Sequence, residues 1–246
     1  MMHRATGLDQ RSWGWGSLWP PTPDRPPRPL LRKLWRKWFQ LRLLLVDRRK
    51  YERVVLEEIL GMPIVVLPEV FNPKLLRSGE FLVQQLGMIS AGSRVLDLGS
   101  GSGVAGVAAA RRGCAVAAVD INPAAVRCTR ANALLNDVVL DVRQGNLFAP
   151  VHGEHFDVVL FNPPYYRGVA RDPLDHAWRS PDVIERFSCE LADHLTPAGY
   201  ALVVLSSDGE QAAFLQALAQ NGFSHNSVAE RNLLNETMTV YRTQRC

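Results

Sequence analysis

Asn162-Pro163-Pro164-Tyr165 gathers the residues best suited to chemistry, directly behind the apolar run FDVVLF (156–161). An amide oxygen and a neighbouring proline carbonyl can accept both hydrogens of a planar NH2 group. That draws the nitrogen toward tetrahedral geometry and frees its lone pair for attack on carbon. Two consecutive prolines restrict the loop and hold the carbonyl in place, while Tyr165 offers a face on which a planar base or amide can stack. A rigid turn is the plain alternative for the same four residues.

About 60 residues upstream, RVLDL (94–98) runs into Gly99-Ser100-Gly101-Ser102-Gly103 and then a helix of small residues. Glycines there let the backbone turn sharply and let a ligand approach it closely. The helix start presents unpaired N–H groups to a negative or polar ligand. Such a turn by itself serves a dinucleotide equally well, or no ligand. Two acidic residues narrow the choice: Asp97 near the end of the strand, and Asp120 closing AVAAV (115–119). A carboxylate at the second position can accept both hydroxyls of a ribose.

These side chains need rigid supports, and the apolar periodicity supplies them. Strands are expected at 94–98, 115–119, 139–143, 156–161 and 199–206, with helices at 104–111, 123–135, 181–195 and 209–221. The alternation predicts βαβ units, hence an α/β fold with a mostly parallel sheet whose carboxyl edge binds ligands. Two late strands, near 223–229 and 236–242, share a short non-helical link and read as an antiparallel pair, which brings the sheet to seven strands. Upstream, a helix is expected over roughly 78–86. Residues 51–68 read as a hairpin or strand-turn-strand around Gly61-Met62-Pro63, with a helix over 51–60 as the alternative.

VLDLGSGSG resembles the first motif of the class I S-adenosylmethionine-dependent methyltransferases, and VDINPAAV resembles their second. FDVVLF followed by NPPY is similar to the branch that methylates planar nitrogens, the adenine-N6 and release-factor glutamine-N5 enzymes. The likeness covers about 175 residues from Val70 onward. It takes in VFNP (70–73), Ser78, AWRSPDVIERF (177–187) and a late V-x-x-R-x-x-x-x-E-x-x-x-V pattern over 228–240. It implies a Rossmann-like class I fold, a seven-stranded, mostly parallel sheet with an antiparallel C-terminal strand, and S-adenosyl-L-methionine as cofactor. Carried over, Gly99, Gly101 and Gly103 lie beside the methionine portion, Asp120 takes the ribose, and Asp97 positions the amino group or the loop. Ile121 meets the adenine and Ser78 the methionine end. In QGNLF (144–148), similar to the third motif, an acidic residue commonly meets the adenine amino group; Asn146 keeps the acceptor without its charge.

The same resemblance makes Asn162, Pro163 and Tyr165 catalytic, with Asn162 also bordering the cofactor, and gives Pro164, Tyr165 and Trp178 substrate contacts. A sulfonium is already an activated leaving group, so orientation and preorganised dipoles suffice without a strong base. Two departures bear on the substrate. The GGxDG-like stretch usual in the glutamine-N5 relatives is RSPDV (179–183) here, and a Pro-rich tether with one basic helix replaces their all-helical N-terminal domain. The expected reaction is methyl transfer to a planar nitrogen, a protein glutamine amide ahead of adenine-N6 in RNA or DNA. A non-catalytic cofactor-binding scaffold is the reading from a different class. Residues 169–179, with Arg171, Asp172, His176 and Trp178, form either a substrate-facing insert or a plain covering loop.

Composition sets the outer bounds. With 47% hydrophobic residues in 246, the chain can bury a sizeable core. Its four cysteines, Cys114, Cys128, Cys189 and Cys246, lack metal-ligand spacing, so free thiols and no metal site are expected. No apolar run reaches the roughly 18 residues of a spanning helix, and the start lacks a signal peptide, which makes cytoplasm the expected location. The net charge of +4 is unevenly spread: residues 1–53 hold 13 of the 28 Lys and Arg and 4 of the 24 Asp and Glu. That segment carries the basic character, and the acidic remainder favours a protein substrate over nucleic acid. Residues 1–29 read as a Pro/Trp-rich tether, 30–69 as a basic amphipathic helix with the hairpin, and 70–246 as the methyltransferase domain. The helix, 30–46, alternates Leu31, Leu34, Trp35, Trp38 and Leu41 with Arg and Lys. It could pack on the domain or contact an anionic membrane or a partner.

Overall fold

The computed structural model describes residues 53–172, 174–233 and 236–246. The tether and the amphipathic helix expected over 30–46 lie outside the described residues. The first element is a hairpin, β1 (Val55–Ile59) and β2 (Met62–Val66), paired antiparallel with Ile59 opposite Met62. Its two-residue turn, Leu60-Gly61, has φ of 49° and 75°. Positive φ at both central residues matches the right-handed twist of the strands it joins. Period-2 burial places Ile59, Met62, Ile64 and Val66 inside, continuous with the main core. The hairpin reading therefore holds over the helical one.

Two short helices follow, α1 (Pro73–Leu76) and α2 (Ser78–Val83), with Arg77 between them at φ 59°. The left-handed residue breaks the expected helix into two pieces and sets where α2 begins. The sheet then forms from β3 (Arg94–Leu98), β4 (Ala115–Asp120), β5 (Asp141–Gln144), β6 (Phe156–Phe161), β9 (Leu195–Ser206), β10 (Phe223–Asn232) and β11 (Thr237–Arg245). The short strands β7 (Tyr166–Arg167) and β8 (Arg179–Ser180) pair apart from it. Spatial order is β10-β11-β9-β6-β3-β4-β5, parallel from β5 to β9, with β11 antiparallel to both of its neighbours. The expected fold class is what the structure has.

Both faces of the sheet are covered, which explains runs such as VVLF. Val158 and Leu160 of β6 pack on one side with the hairpin, α2 and α3 (Val104–Arg111). Val159 and Phe161 pack on the other with α5 (Val183–Glu190) and α6 (Gln211–Gln220). At about 25 cal/mol per Å² of apolar surface, double burial makes these central strands the firmest platform in the molecule. The expected helix at 181–195 is corrected: α5 ends at Glu190, a 3-10 turn occupies Leu191–His194, and β9 already starts at Leu195. Pro197 interrupts the apolar pattern, but pairing with β6 resumes after a register shift between Leu195 and Tyr200. A bulge of this kind tolerates proline.

Candidate active site

β3 and β6 lie side by side, yet the chain leaves β3 toward β4 on one flank and β6 toward β9 on the other. Ligands of open α/β sheets bind at such a switch point, outside the carboxyl ends of the strands. A cleft of about 530 Å³ opens there, a size usual for small-molecule sites. Gly99, Gly101, Asp97, Asp120, Ile121, Asn146, Asn162 and Pro164 all border it. The cleft thus gathers residues spread over almost 70 positions of sequence.

One wall is the glycine loop. Gly99, Gly101 and Gly103 have φ of 67°, 55° and 77°, left-handed values that favour glycine. Gly103 faces a second constraint, since a Cβ on it would lie 2.7 Å from Thr129 Cγ2. Thr129 and Asn132 of α4 (Pro123–Leu135) hold the loop from behind. Thr129 Oγ1 lies 3.0 Å from Ser100 Oγ and donates to the Gly101 carbonyl, while Asn132 Nδ2 donates to the Ser102 carbonyl at 2.8 Å. Asn132 also accepts from Val65 N at 2.7 Å, tying the hairpin to the same helix. Polar residues inside a helical pattern carry no signal of this role, and the sequence reading missed both.

Asp120 stands at the end of β4. One carboxylate oxygen accepts from Gly101 N and the other from Asn122 N, each at 2.8 Å. Each oxygen keeps a lone pair, the donor set that a vicinal diol needs. Burial pushes the Asp120 carboxyl above the usual range, against the pull of those N–H groups. Asp97, 4% exposed, accepts from Gly106 N at 2.8 Å. Burial raises its carboxyl to about 7; the Gly106 bond lowers it and the nearby Asp120 charge adds to the rise. Two desolvated carboxyls facing one cleft favour a cationic ligand. A molecule with a ribose diol and a positive centre, as S-adenosylmethionine has, fits these residues. Ile121, 40% exposed, and Asn146 edge the far end of the cleft.

VFNP and INP use one device twice. Asn72 caps α1 by accepting from Lys74 N, Asn122 caps α4 by accepting from Ala124 N, each at 2.9 Å, and proline follows at the first helical position. Asn122 also donates to the Glu69 carbonyl at 2.8 Å, so Val70 and Phe71 form a side of the cleft.

The opposite wall is the NPPY loop. Phe161 stacks on Phe187, centroids 4.6 Å apart, which anchors the end of β6. Asn162 Nδ2 donates to Ser78 Oγ at 3.0 Å, and Tyr165 OH donates to Asn162 Oδ1 at 3.0 Å. Ser78 is fully buried behind this wall. Burial pushes the Tyr165 phenol up, so it stays a donor. Pro163 and Tyr165 line a smaller recess behind the loop, where a Cβ on Gly209 would come within 2.9 Å of the Tyr165 carbonyl. Gly209 is a second support the sequence reading missed. Glu236, of the late pattern, accepts from Ser206 Oγ at the end of β9.

The segment between β7 and β8 covers the mouth. Val169, Ala170, His176 and Arg179 border the cleft, whereas Trp178 packs edge-on against Phe71 at 5.2 Å. Among the described residues no helix is long and apolar enough to cross a membrane, and no group of three His, Cys, Asp or Glu is placed to hold a metal.

Residues 61–232 match the family described as the methyltransferase small domain. A Methanocaldococcus jannaschii protein provisionally named a protein N5-glutamine methyltransferase is 31% identical over 175 residues, covering 68% of this chain and 87% of that protein. Ribosomal RNA small subunit methyltransferase C of Alcanivorax borkumensis is 29% identical over 175 residues, 70% of this chain and 50% of its own length. Among solved structures, the T. thermophilus 16S rRNA N2 G1207 methyltransferase in complex with AdoMet and guanosine superposes with a TM-score of 0.61 at 23% identity. That match covers 79% of this chain and 50% of the other, so this chain spans about half the length of the ribosomal RNA enzymes it resembles.

Proposed function

Because the chain belongs to the methyltransferase small domain family and is an S-adenosylmethionine-dependent methyltransferase, we propose that it methylates the side-chain amide of a protein glutamine. One observation carries the reading. Asn162 borders the same cleft as Asp120 and the glycine loop, with its amide nitrogen engaged by Ser78 and one lone pair of its oxygen left over. The bound cofactor supplies an electrophilic methyl on a sulfonium.

This chain's residues do the rest. Asp120 holds the ribose, Asp97 and the Gly99, Gly101 and Gly103 backbone face the methionine portion, and Ile121 and Asn146 meet the adenine. Asn162 Oδ1 and the Pro163 carbonyl accept the two hydrogens of the substrate NH2 and turn its lone pair toward the methyl group. Tyr165 and Pro164 limit the freedom of the loop, and Trp178 braces the covering segment through Phe71. Catalysis rests on orientation and fixed dipoles, and the proton leaves to solvent after transfer.

A protein amide is favoured because this chain spans 87% of the archaeal relative, and because the acidic character lies in the part that holds the cleft. An exocyclic amine of an RNA base is the second reading, supported by the ribosomal RNA relatives and the basic residues 1–53. The same two acceptors serve either group. Radiolabelled methyl transfer to cell extract, with protease and nuclease controls, separates them. Label that resists nuclease, is lost with protease and hydrolyses to N5-methylglutamine is the expected outcome. Nuclease-sensitive label overturns the glutamine assignment.

A further inference from the structure

Ser78 is the first residue of α2, fully buried, and its hydroxyl is 3.0 Å from Asn162 Nδ2 across 84 positions of sequence. The same hydroxyl hydrogen-bonds the Tyr165 phenol oxygen, and Tyr165 OH returns to Asn162 Oδ1 at 3.0 Å. Asn162 gives to Ser78, Ser78 to Tyr165, and Tyr165 to Asn162. Each member donates once and accepts once, so the ring closes on itself. Rings of this sort polarise their members in one sense and strengthen together.

We propose that Ser78 is a positioning residue for methyl transfer, holding the Asn162 amide in the plane and polarity that present Oδ1 to the acceptor nitrogen. The inference rests on the reading of Asn162 as that acceptor. An asparagine amide has one end that accepts and one that donates, and they are nearly equal in size. Turned over, Asn162 would aim an N–H at the substrate's own N–H groups. A ring running the opposite way would also close, but only with this wrong end facing the substrate. Ser78 supplies the acceptor that keeps Nδ2 on the buried side and leaves one Oδ1 lone pair for the cleft.

Its own position is well fixed. Arg77 in the left-handed conformation starts the helix at Ser78, and a Cβ on Gly79 would come within 2.8 Å of Pro73 Cβ. The main chain on both sides of Ser78 therefore has little room to shift. Ser78 does not need to touch the cofactor to control the rate.

The test uses the full chain with labelled S-adenosylmethionine and the extract fraction that wild type methylates. S-adenosylhomocysteine affinity is measured by calorimetry alongside. Ser78→Ala should lower kcat at saturating cofactor about tenfold or more, with S-adenosylhomocysteine affinity and KM for cofactor within about twofold of wild type. In a Tyr165→Phe background, where the ring is already open, the same change should cost less than about threefold. Ser78→Cys, nearly isosteric and a weaker hydrogen-bonding group, should fall between Ser78→Ala and wild type, and it decides the matter if the alanine variant does not fold. Unchanged kcat in Ser78→Ala beside an inactive Asn162→Ala overturns the positioning role and leaves the acceptor reading intact. A tenfold loss of S-adenosylhomocysteine affinity at unchanged kcat overturns it in favour of a direct cofactor contact. Full activity in Asn162→Ala removes the premise itself.

Discussion

The two walls of the cleft are built in different ways. On the cofactor side, recognition comes from backbone: three left-handed glycines in five residues, and N–H groups shared with Asp120 two residues before the start of α4. On the acceptor side it comes from side chains, and Ser78, Asn162 and Tyr165 meet only because α2 packs against the end of β6. A backbone site tolerates changes of neighbouring side chains but not of glycine. A side-chain ring tolerates backbone variation and fails when one polar atom is lost. Single substitutions should therefore separate binding from chemistry.

The largest effect is expected on the acceptor wall. Asn162→Ala should retain S-adenosylhomocysteine affinity yet lose kcat by ~10²-fold or more, because the lost dipole acts in a preorganised site. Initial rates at saturating cofactor check this, and wild-type turnover would reduce NPPY to a structural turn.

Next comes the backbone of the other wall. Gly103→Ala places a Cβ at positive φ and against Thr129, which should cost roughly 2–4 kcal/mol of stability by thermal or urea unfolding. Thr129→Ser in the same chain removes the Cγ2 contact and should restore part of the loss; no recovery would show that strain at φ 77° alone sets the cost.

Asp120→Ala should weaken S-adenosylmethionine binding by about 1–3 kcal/mol in calorimetry, with kcat at saturation little changed. Equal affinity in the two proteins would remove the ribose assignment.

Asp97 carries a pH dependence. Its carboxyl rises from 3.8 to about 7 on folding, so its contribution to stability is full below about pH 4 and is lost as pH climbs through 7. Asp97→Asn keeps an acceptor for Gly106 N and should flatten that slope in melts from pH 4 to 8. In wild type, affinity for cationic S-adenosylmethionine should rise a few-fold from pH 6 to 8 as Asp97 ionises, with proton release visible in calorimetry across buffers. A flat affinity profile would show that Asp97 serves only the loop.

The smallest change is expected at Trp178, held by Phe71 outside the cleft. Trp178→Ala should raise KM for the methyl acceptor less than tenfold and leave cofactor affinity alone. A loss as large as that of Asn162→Ala would place the indole on the substrate.

The legible part of this protein was the part with contiguous, periodic signals. Runs such as RVLDL and FDVVLF identify doubly buried strands, because a parallel sheet covered on both faces requires apolar residues in succession. Gly99, Gly101 and Gly103 announce their loop, because left-handed backbone is open mainly to glycine. Helix ends were less legible: nothing local marks Arg77 as left-handed, and the pattern at 181–195 concealed a stop at Glu190.

What only the tertiary structure decided is which polar atoms meet. Ser78, Thr129, Asn132 and Gly209 are ordinary residues in their own segments. Their partners lie 84 positions away at Asn162, 28 and 30 at Gly101 and Ser102, and behind the loop at Tyr165. A hydrogen bond extends about 3 Å, and a sequence pattern records only what is periodic along one element. The sequence alone determined the sheet, the glycine loop and the NPPY segment at the strand end. Packing of α2 and α4 against that sheet decided which side chains hold the two walls, since burial forces each polar atom to find its partner in space.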